Sequence, residues 1–473
     1  NMKRVAICLI LVLLAEIIAG CSDNGTISTD LEIELEETTM RVALGEMLSV
    51  KVSVKNINLF EKMLVEKLKG GSTVAVIDTI TLANLTGNEY VFTYQIAAED
   101  YVGSNLSFRF GATDINGRPT PKHDVSVTLV PYPGLQKTLI PSGLNMIARI
   151  TGDSPAGETL PNPNATGDTY NLGGTDLGIM WKLSDTRLGM WFGDSYGKDK
   201  FLPDPGATDW RSNVLAFSSD TFLADGLRFD SVLVDNFGSA KEIIYSAHNT
   251  SGNGDYTSIP TAAIRLHGVD YVHYMNIRSW GTAGVWLTNY SGYYFSQDGN
   301  TWSKAENISF PGTSLFAQAA LFEHDGYVYM LGTPSGRFGS ARLARFKSGD
   351  ILNLNNYEYW NSDKGWQKGY ESSSSPLFTG PVGEMSLIYD DRFDRWMVTY
   401  LNETKRVIVM RDAAHIFGPW SEEKTLVTAT QYPGLYGAFI YPLKTNDSKM
   451  YFAMSLWGLY NVFLMSVDIE VRQ

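Results

Sequence analysis

The sequence predicts an all-β protein in two parts, a small β-sandwich followed by a five-bladed β-propeller, and three observations carry that prediction. Long apolar-periodic helical segments are almost absent, whereas aromatics reach 12% and glycines number 44, a composition of short strands and many turns. At 473 residues the chain exceeds what one core ordinarily organises, so two domains are expected. The third observation is a hairpin present in five copies in the C-terminal part.

The first element is an address. Lys3 and Arg4 precede an apolar run from Val5 to Ala19, too short for a comfortable membrane span, which ends in Ile17-Ile18-Ala19-Gly20-Cys21. That ending resembles a bacterial lipobox, so residues 1–20 are expected to be a lipoprotein signal, Cys21 the lipidated residue and 21–29 a tether. The protein is accordingly expected to be exported and held at a bacterial membrane, on the periplasmic or cell-surface face of the outer membrane, touching lipid only through Cys21. Cys8 leaves with the signal, so no disulfide remains to stabilise the fold.

Residues 30–131 form the predicted sandwich. Alternating runs such as Met47 to Val54, Glu89 to Gln95, Asn105 to Gly111 and Asp124 to Val130 are separated by turn residues at Gly70-Gly71 and Asn116-Gly117. The stretch from Phe110 to Thr120 resembles the late-strand turn of bacterial immunoglobulin-like modules. No catalytic constellation appears in this part; a spacer role is expected, with glycan binding as the alternative.

Residues 132–473 form the predicted propeller, including an entry linker rich in Pro, Gly and Asn and a segment, Met146 to Ile150, placed to help close the domain. The five hairpins start near residues 175, 259, 315, 382 and 435, spacings that leave room for a four-stranded blade each. Their first strands are small or apolar, as strands crowded around a channel must be. Ser296 to Trp302 resembles an Asp-box turn, in which Asp and Ser cap the turn and Trp packs beneath it.

The first hairpin, Thr175 to Tyr196, carries the chemistry. Asp176 opens one strand and Asp194 closes the other, so the antiparallel register sets two carboxylates roughly opposite each other. Like charges across a strand pair destabilise it, and closeness drives one pKa upward. Glycoside hydrolysis needs such a pair, one protonated and one ionised. Glu384 is a third carboxylate that either tunes the pair or replaces a member. Arg211 either orients substrate or neutralises the acids. Reading the other repeats at the same mouth adds Asn213, Trp280, Gln318, Arg337, Tyr436 and Trp457 as substrate contacts, with Arg337 either on ligand or a solvated loop charge.

Other classes are disfavoured. A net charge of −13 argues against nucleic acid or anionic lipid as partner. Six scattered histidines lack metal-ligand spacing, and no phosphate loop, dinucleotide fingerprint or nucleophile elbow occurs, so neither catalytic zinc nor a cofactor is expected; carboxylates and carbonyls would suffice for calcium in the channel, which stays open as an alternative.

In order along the chain, G-G-T-D-L-G (173–178), F-G-D-S-Y (192–196), W-R-S-N (210–213), T-P-S-G-R (333–337), Y-E-Y-W (357–360), V-G-E-M-S (382–386), G-P-W-S (418–421) and L-Y-G-A-F (435–439) resemble a bacterial propeller family long catalogued as a domain of unknown function. Members of that family were assigned as endo-acting D-arabinanases that cleave the D-arabinan of mycobacterial arabinogalactan and lipoarabinomannan. The resemblance covers residues 136–473. It implies five blades and catalytic acids at Asp176 and Asp194. The expected protein is therefore a monomeric, lipid-anchored endo-glycosidase on arabinofuranosyl polysaccharide, the alternative being a non-catalytic surface glycan-binding lipoprotein on the same fold.

Overall fold

The computed structural model describes residues 29–198 and 209–473; the lipobox and Cys21 lie outside the described residues. The described chain is almost entirely β, with a few short helical turns.

Strict alternation decides the N-terminal part. Met47–Lys55 and Leu106–Asp114 bury every second residue, which gives each strand one apolar face. Those faces meet: a three-stranded sheet (Glu32–Leu35, Met47–Lys55, Glu89–Gln95) and a five-stranded sheet (Thr39–Ala43, His123–Val130, Leu106–Asp114, Phe60–Lys69, Ser72–Thr81) share one core of Leu48, Val50, Val52, Phe92, Phe108, Phe110 and Val125. Thr39–Ala43 runs parallel to His123–Val130; the other pairings are antiparallel.

Beyond residue 137 the chain makes five antiparallel sheets in sequence order. Their first strands are Gly174–Ser184, Thr257–Leu266, Gln318–His324, Met385–Asp390 and Leu435–Ile440. Each packs beside the first strand of the next sheet, and the fifth returns to the first, so the five close a ring. The small residues of these strands follow from that crowding: Ala262, Ala263, Ala319, Ala320 and Ala438 are all buried. The fifth sheet takes its outermost strand from far upstream, because Thr138–Arg149 pairs with Asn461–Arg472.

Side chains fasten sheet to sheet. Trp181 donates from Nε1 to Asp270 at 3.1 Å, Ser291 Oγ to the Ala317 carbonyl at 2.6 Å, and Thr399 Oγ1 to the Ala438 carbonyl at 2.6 Å. The turn at Ser296 behaves as its sequence predicts. Asp298 accepts from the Asn300 and Thr301 amides, and Trp302 packs edge-on against Trp191 with centroids 5.0 Å apart.

The ring leaves a cavity at each end. One, of about 620 Å³, lies where the first strands begin and includes Asp176, Thr261, Gln318, Glu384 and Tyr436 in its wall. The other, of about 440 Å³, lies where they end, at Lys182, Arg265, Glu323, Asp390 and Thr445.

Candidate active site

The first hairpin builds the floor of the larger cavity. Its register is in step from Ile179↔Trp191 to Lys182↔Leu188, shifts beside the turn between Lys182 and Ser184, and toward the cavity slips twice more, between Leu177 and Ile179 and between Thr175 and Leu177. These bulges turn the Asp176 side chain into the cavity wall instead of continuing the alternation. Leu177 sits at φ +70°, a conformation that costs a non-glycine residue about 1–2 kcal/mol. Its amide is held there by Ser455 Oγ at 2.8 Å. Across the bulge, a Cβ on residue 193 would stand 2.4 Å from Asp176 Oδ1, so only glycine lets the carboxylate lie over the second strand.

The two aspartates have different company. Asp194 Oδ1 accepts from Trp210 Nε1 at 2.8 Å and from Thr257 Oγ1 at 2.5 Å. Asp176 Oδ2 accepts from Tyr436 at 3.0 Å, while its Oδ1 is buried without a hydrogen-bond partner. Burial pushes the Asp176 carboxyl up to about 8; the Asp194 charge and Glu384 add to the rise, and the Tyr436 and Tyr460 hydroxyls oppose it. Burial lifts Asp194 too, but only to about 6, because Thr257, Trp210 and His248 favour its anion. Near neutral pH the arrangement therefore holds one proton on Asp176 and a negative charge on Asp194.

A second constellation faces this pair. Arg337 donates from Nε and Nη2 to Glu384 Oε1 at 3.1 and 2.8 Å, and from Nη1 to Glu403 at 2.9 Å. Its guanidinium lies over the rings of Tyr436 and Trp286, 5.3 and 5.9 Å from their centroids. Two anions raise its pKa further above the usual arginine range, against burial. Glu384 keeps one buried oxygen, Oε2, without a partner. Trp280 and Trp457 stand at the cavity rim, 41% and 53% exposed, as flat apolar surfaces open to a ligand.

The structure gathers Asp176, Asp194, Glu384, Trp280, Gln318, Arg337, Tyr436 and Trp457 into one wall, and leaves two predicted contacts outside it. Arg211 does not reach the acids. It donates to the carbonyls of Asp209, Ala240 and Asn171, at 3.1, 2.7 and 2.9 Å, because the Ser195↔Arg211 bridge carries its side chain away from the cavity. Asn213 is spent on backbone as well, donating to the carbonyls of Ile244 and Ser258 and accepting from the Ile243 and Ile244 amides. Gln318 lines the cavity, yet its amide donates to the Pro334 and Gly336 carbonyls and so shapes the turn that presents Arg337. Sequence reasoning missed Thr257, Tyr460 and Glu403. Among the described residues no cluster of three or more His, Cys, Asp or Glu side chains is arranged to hold a metal ion.

Comparison with known proteins adds relatives. A family model described as "Domain of unknown function (DUF4185)" matches residues 161–466. Notoamide biosynthesis cluster protein J of Aspergillus sp. (strain MF297-2) is 30% identical over 319 residues, 62% of this chain and 82% of that protein. Its counterpart J' of Aspergillus versicolor is 30% identical over 312 residues, 62% and 83% of the two chains. Among solved structures, the chain is similar to Zg3597, a family 117 glycoside hydrolase from Zobellia galactanivorans, at 10% identity and a TM-score of 0.41, covering 69% of this chain and 90% of that one. It is also similar to a subtype N10 neuraminidase-like protein of A/little yellow-shouldered bat/Guatemala/060/2010, at 10% identity and a TM-score of 0.31, covering 63% and 95%. With the family model spanning most of the ring, the chain belongs to the DUF4185 family.

Proposed function

We propose that the protein is an exported glycoside hydrolase that cleaves arabinofuranosyl polysaccharide internally, the ring of five sheets being a five-bladed β-propeller. The observation that carries the reading is the Asp176 and Asp194 pair, two carboxylates on one hairpin whose surroundings drive their pKa values apart. Asp176, holding the proton, serves as general acid to the departing glycosidic oxygen; Asp194, ionised, acts as base or nucleophile at the anomeric carbon. Trp280 and Trp457 stack on sugar faces, and Arg337 with Glu384 takes hydroxyls. Cys21 carries the lipid, and the N-terminal sandwich, read as an immunoglobulin-like module, is the spacer.

The test is digestion of mycobacterial arabinogalactan and plant L-arabinan by wild type, Asp176→Asn and Asp194→Asn, followed by product sizing. Wild type should release oligosaccharides from the D-arabinan, and each variant should bind the polymer but release none. Binding by all three without any product would replace the enzyme with a glycan-binding lipoprotein.

A further inference from the structure

We propose that His248 is a positioning residue for Asp194, clamping the Trp210 indole against the carboxylate from outside the cavity. The proposal rests on the catalytic reading of Asp194 above.

Trp210 is half of what holds Asp194, and an indole N–H can only donate, so its value depends wholly on orientation. Three rings fix that orientation. Tyr196 stacks at 6.4 Å, Tyr256 meets the indole edge at 5.7 Å, and the His248 imidazole stands perpendicular to it with centroids only 4.1 Å apart. His248 is itself held in an unfavourable backbone conformation, φ +53°. What holds it is Glu242, whose Oε2 lies 2.8 Å from His248 Nε2 and also accepts the Ser212 amide at 2.7 Å, while Oε1 accepts the Ser246 amide at 3.2 Å. Neither His248 nor Glu242 lines the cavity. The pair braces the site without touching what fills it.

The bracing is also electrical. The charged groups that face His248 are Glu242, Asp194 and Asp255, all acidic. Burial opposes an imidazolium there, but these anions outweigh it and raise the His248 pKa above its ordinary value. A cation behind the indole favours a negative Asp194, the state in which that residue works.

Asp194 should therefore titrate higher once the cation is gone. The measurement is carboxyl-carbon NMR of protein labelled on aspartate, with the Asp194 signal identified by its loss in Asp194→Asn. In His248→Gln the Asp194 midpoint should move up by about 0.5–1 pH unit, which lowers its ionised fraction at pH 5.5 roughly 3–8-fold. His248→Lys should restore much of the shift, since it returns charge without the ring. Glu242→Gln weakens the imidazolium but also removes an anion that itself raises Asp194, so the two effects offset and the midpoint should move less than in His248→Gln. The acid limb of kcat should follow the midpoint while KM stays put. An unmoved midpoint in a His248→Gln protein with wild-type near-ultraviolet circular dichroism overturns the proposal. A moved midpoint with an unmoved acid limb upholds the coupling and removes Asp194 from the chemistry instead.

Discussion

The two mouths of the ring are cavities of comparable size lined by the same five strands, and they treat charge in opposite ways. At the closing ends every cation has an anion of its own: Lys182 with Asp185 at 2.6 Å, Arg265 with Asp270 at 2.7 Å, Arg392 with Asp390 at 2.7 Å, Lys444 with Asp391 at 3.1 Å and Lys449 with Asp468 at 2.7 Å. At the opening ends Asp176 and Glu384 each keep a buried oxygen without a partner, and the Leu177 backbone is strained beside one of them. Folding alone explains the first mouth. The second retains groups that cost stability, as expected of the proposed substrate site.

The largest effect that can break this comparison is Asp176→Asn. Turnover on a cleavable arabinan should fall by a factor on the order of 10³ or more, while stability should rise. Because the folded pKa of Asp176, about 8, exceeds that of an unfolded aspartate, its contribution to stability is complete below about pH 4 and is lost as pH climbs through 8. Thermal melts of wild type and variant should then coincide near pH 4 and separate at pH 8, with the asparagine form higher by a few degrees. A lower melting point at pH 8 would show that the buried carboxylate is satisfied after all.

Next in size is Arg337→Ala, which strands Glu384 and Glu403 together. It should cost roughly 2–3 kcal/mol in denaturant titration and raise KM well before it lowers kcat. Arg337→Lys should recover part of the stability but little of the KM, since one ammonium cannot serve both carboxylates in the same fork. The smallest effect belongs to the other mouth. Lys444 and Asp391 are 76% and 63% exposed, so Lys444→Ala should change stability by no more than about 0.5 kcal/mol and leave kcat/KM unaltered. A measurable loss of activity there would mean that the two mouths are coupled.

What the sequence made legible follows from the range of each signal. Strand alternation and small inner-strand residues are local, so the hairpins fall close to where the pattern puts them; Gly174–Ser184 and Leu435–Ile440 begin within a residue of the expected starts. The Asp176 and Asp194 pair was readable because both acids sit on one hairpin. Arg211 was misread because nearness in sequence says nothing about the side to which a bridge sends its side chain. Thr257, Tyr460 and Glu403 reach the site through contacts between sheets, which no spacing encodes. His248 carries no metal-ligand spacing, and its partner Glu242 becomes visible only once the loop between them has folded.

The pairing of Thr138–Arg149 with Asn461–Arg472 also sets a timetable. Asp176 takes its hydrogen bond from Tyr436, 260 residues downstream, and Leu177 takes its hydroxyl from Ser455, 278 residues downstream. A ribosome that has delivered the first hairpin has therefore delivered the acids without their setting. Until residues 435–472 meet the upstream strand, Asp176 lacks the Tyr436 hydroxyl and the Leu177 amide lacks Ser455 Oγ. The surroundings that raise Asp176 in the folded protein are therefore complete only once the last sheet has closed the ring.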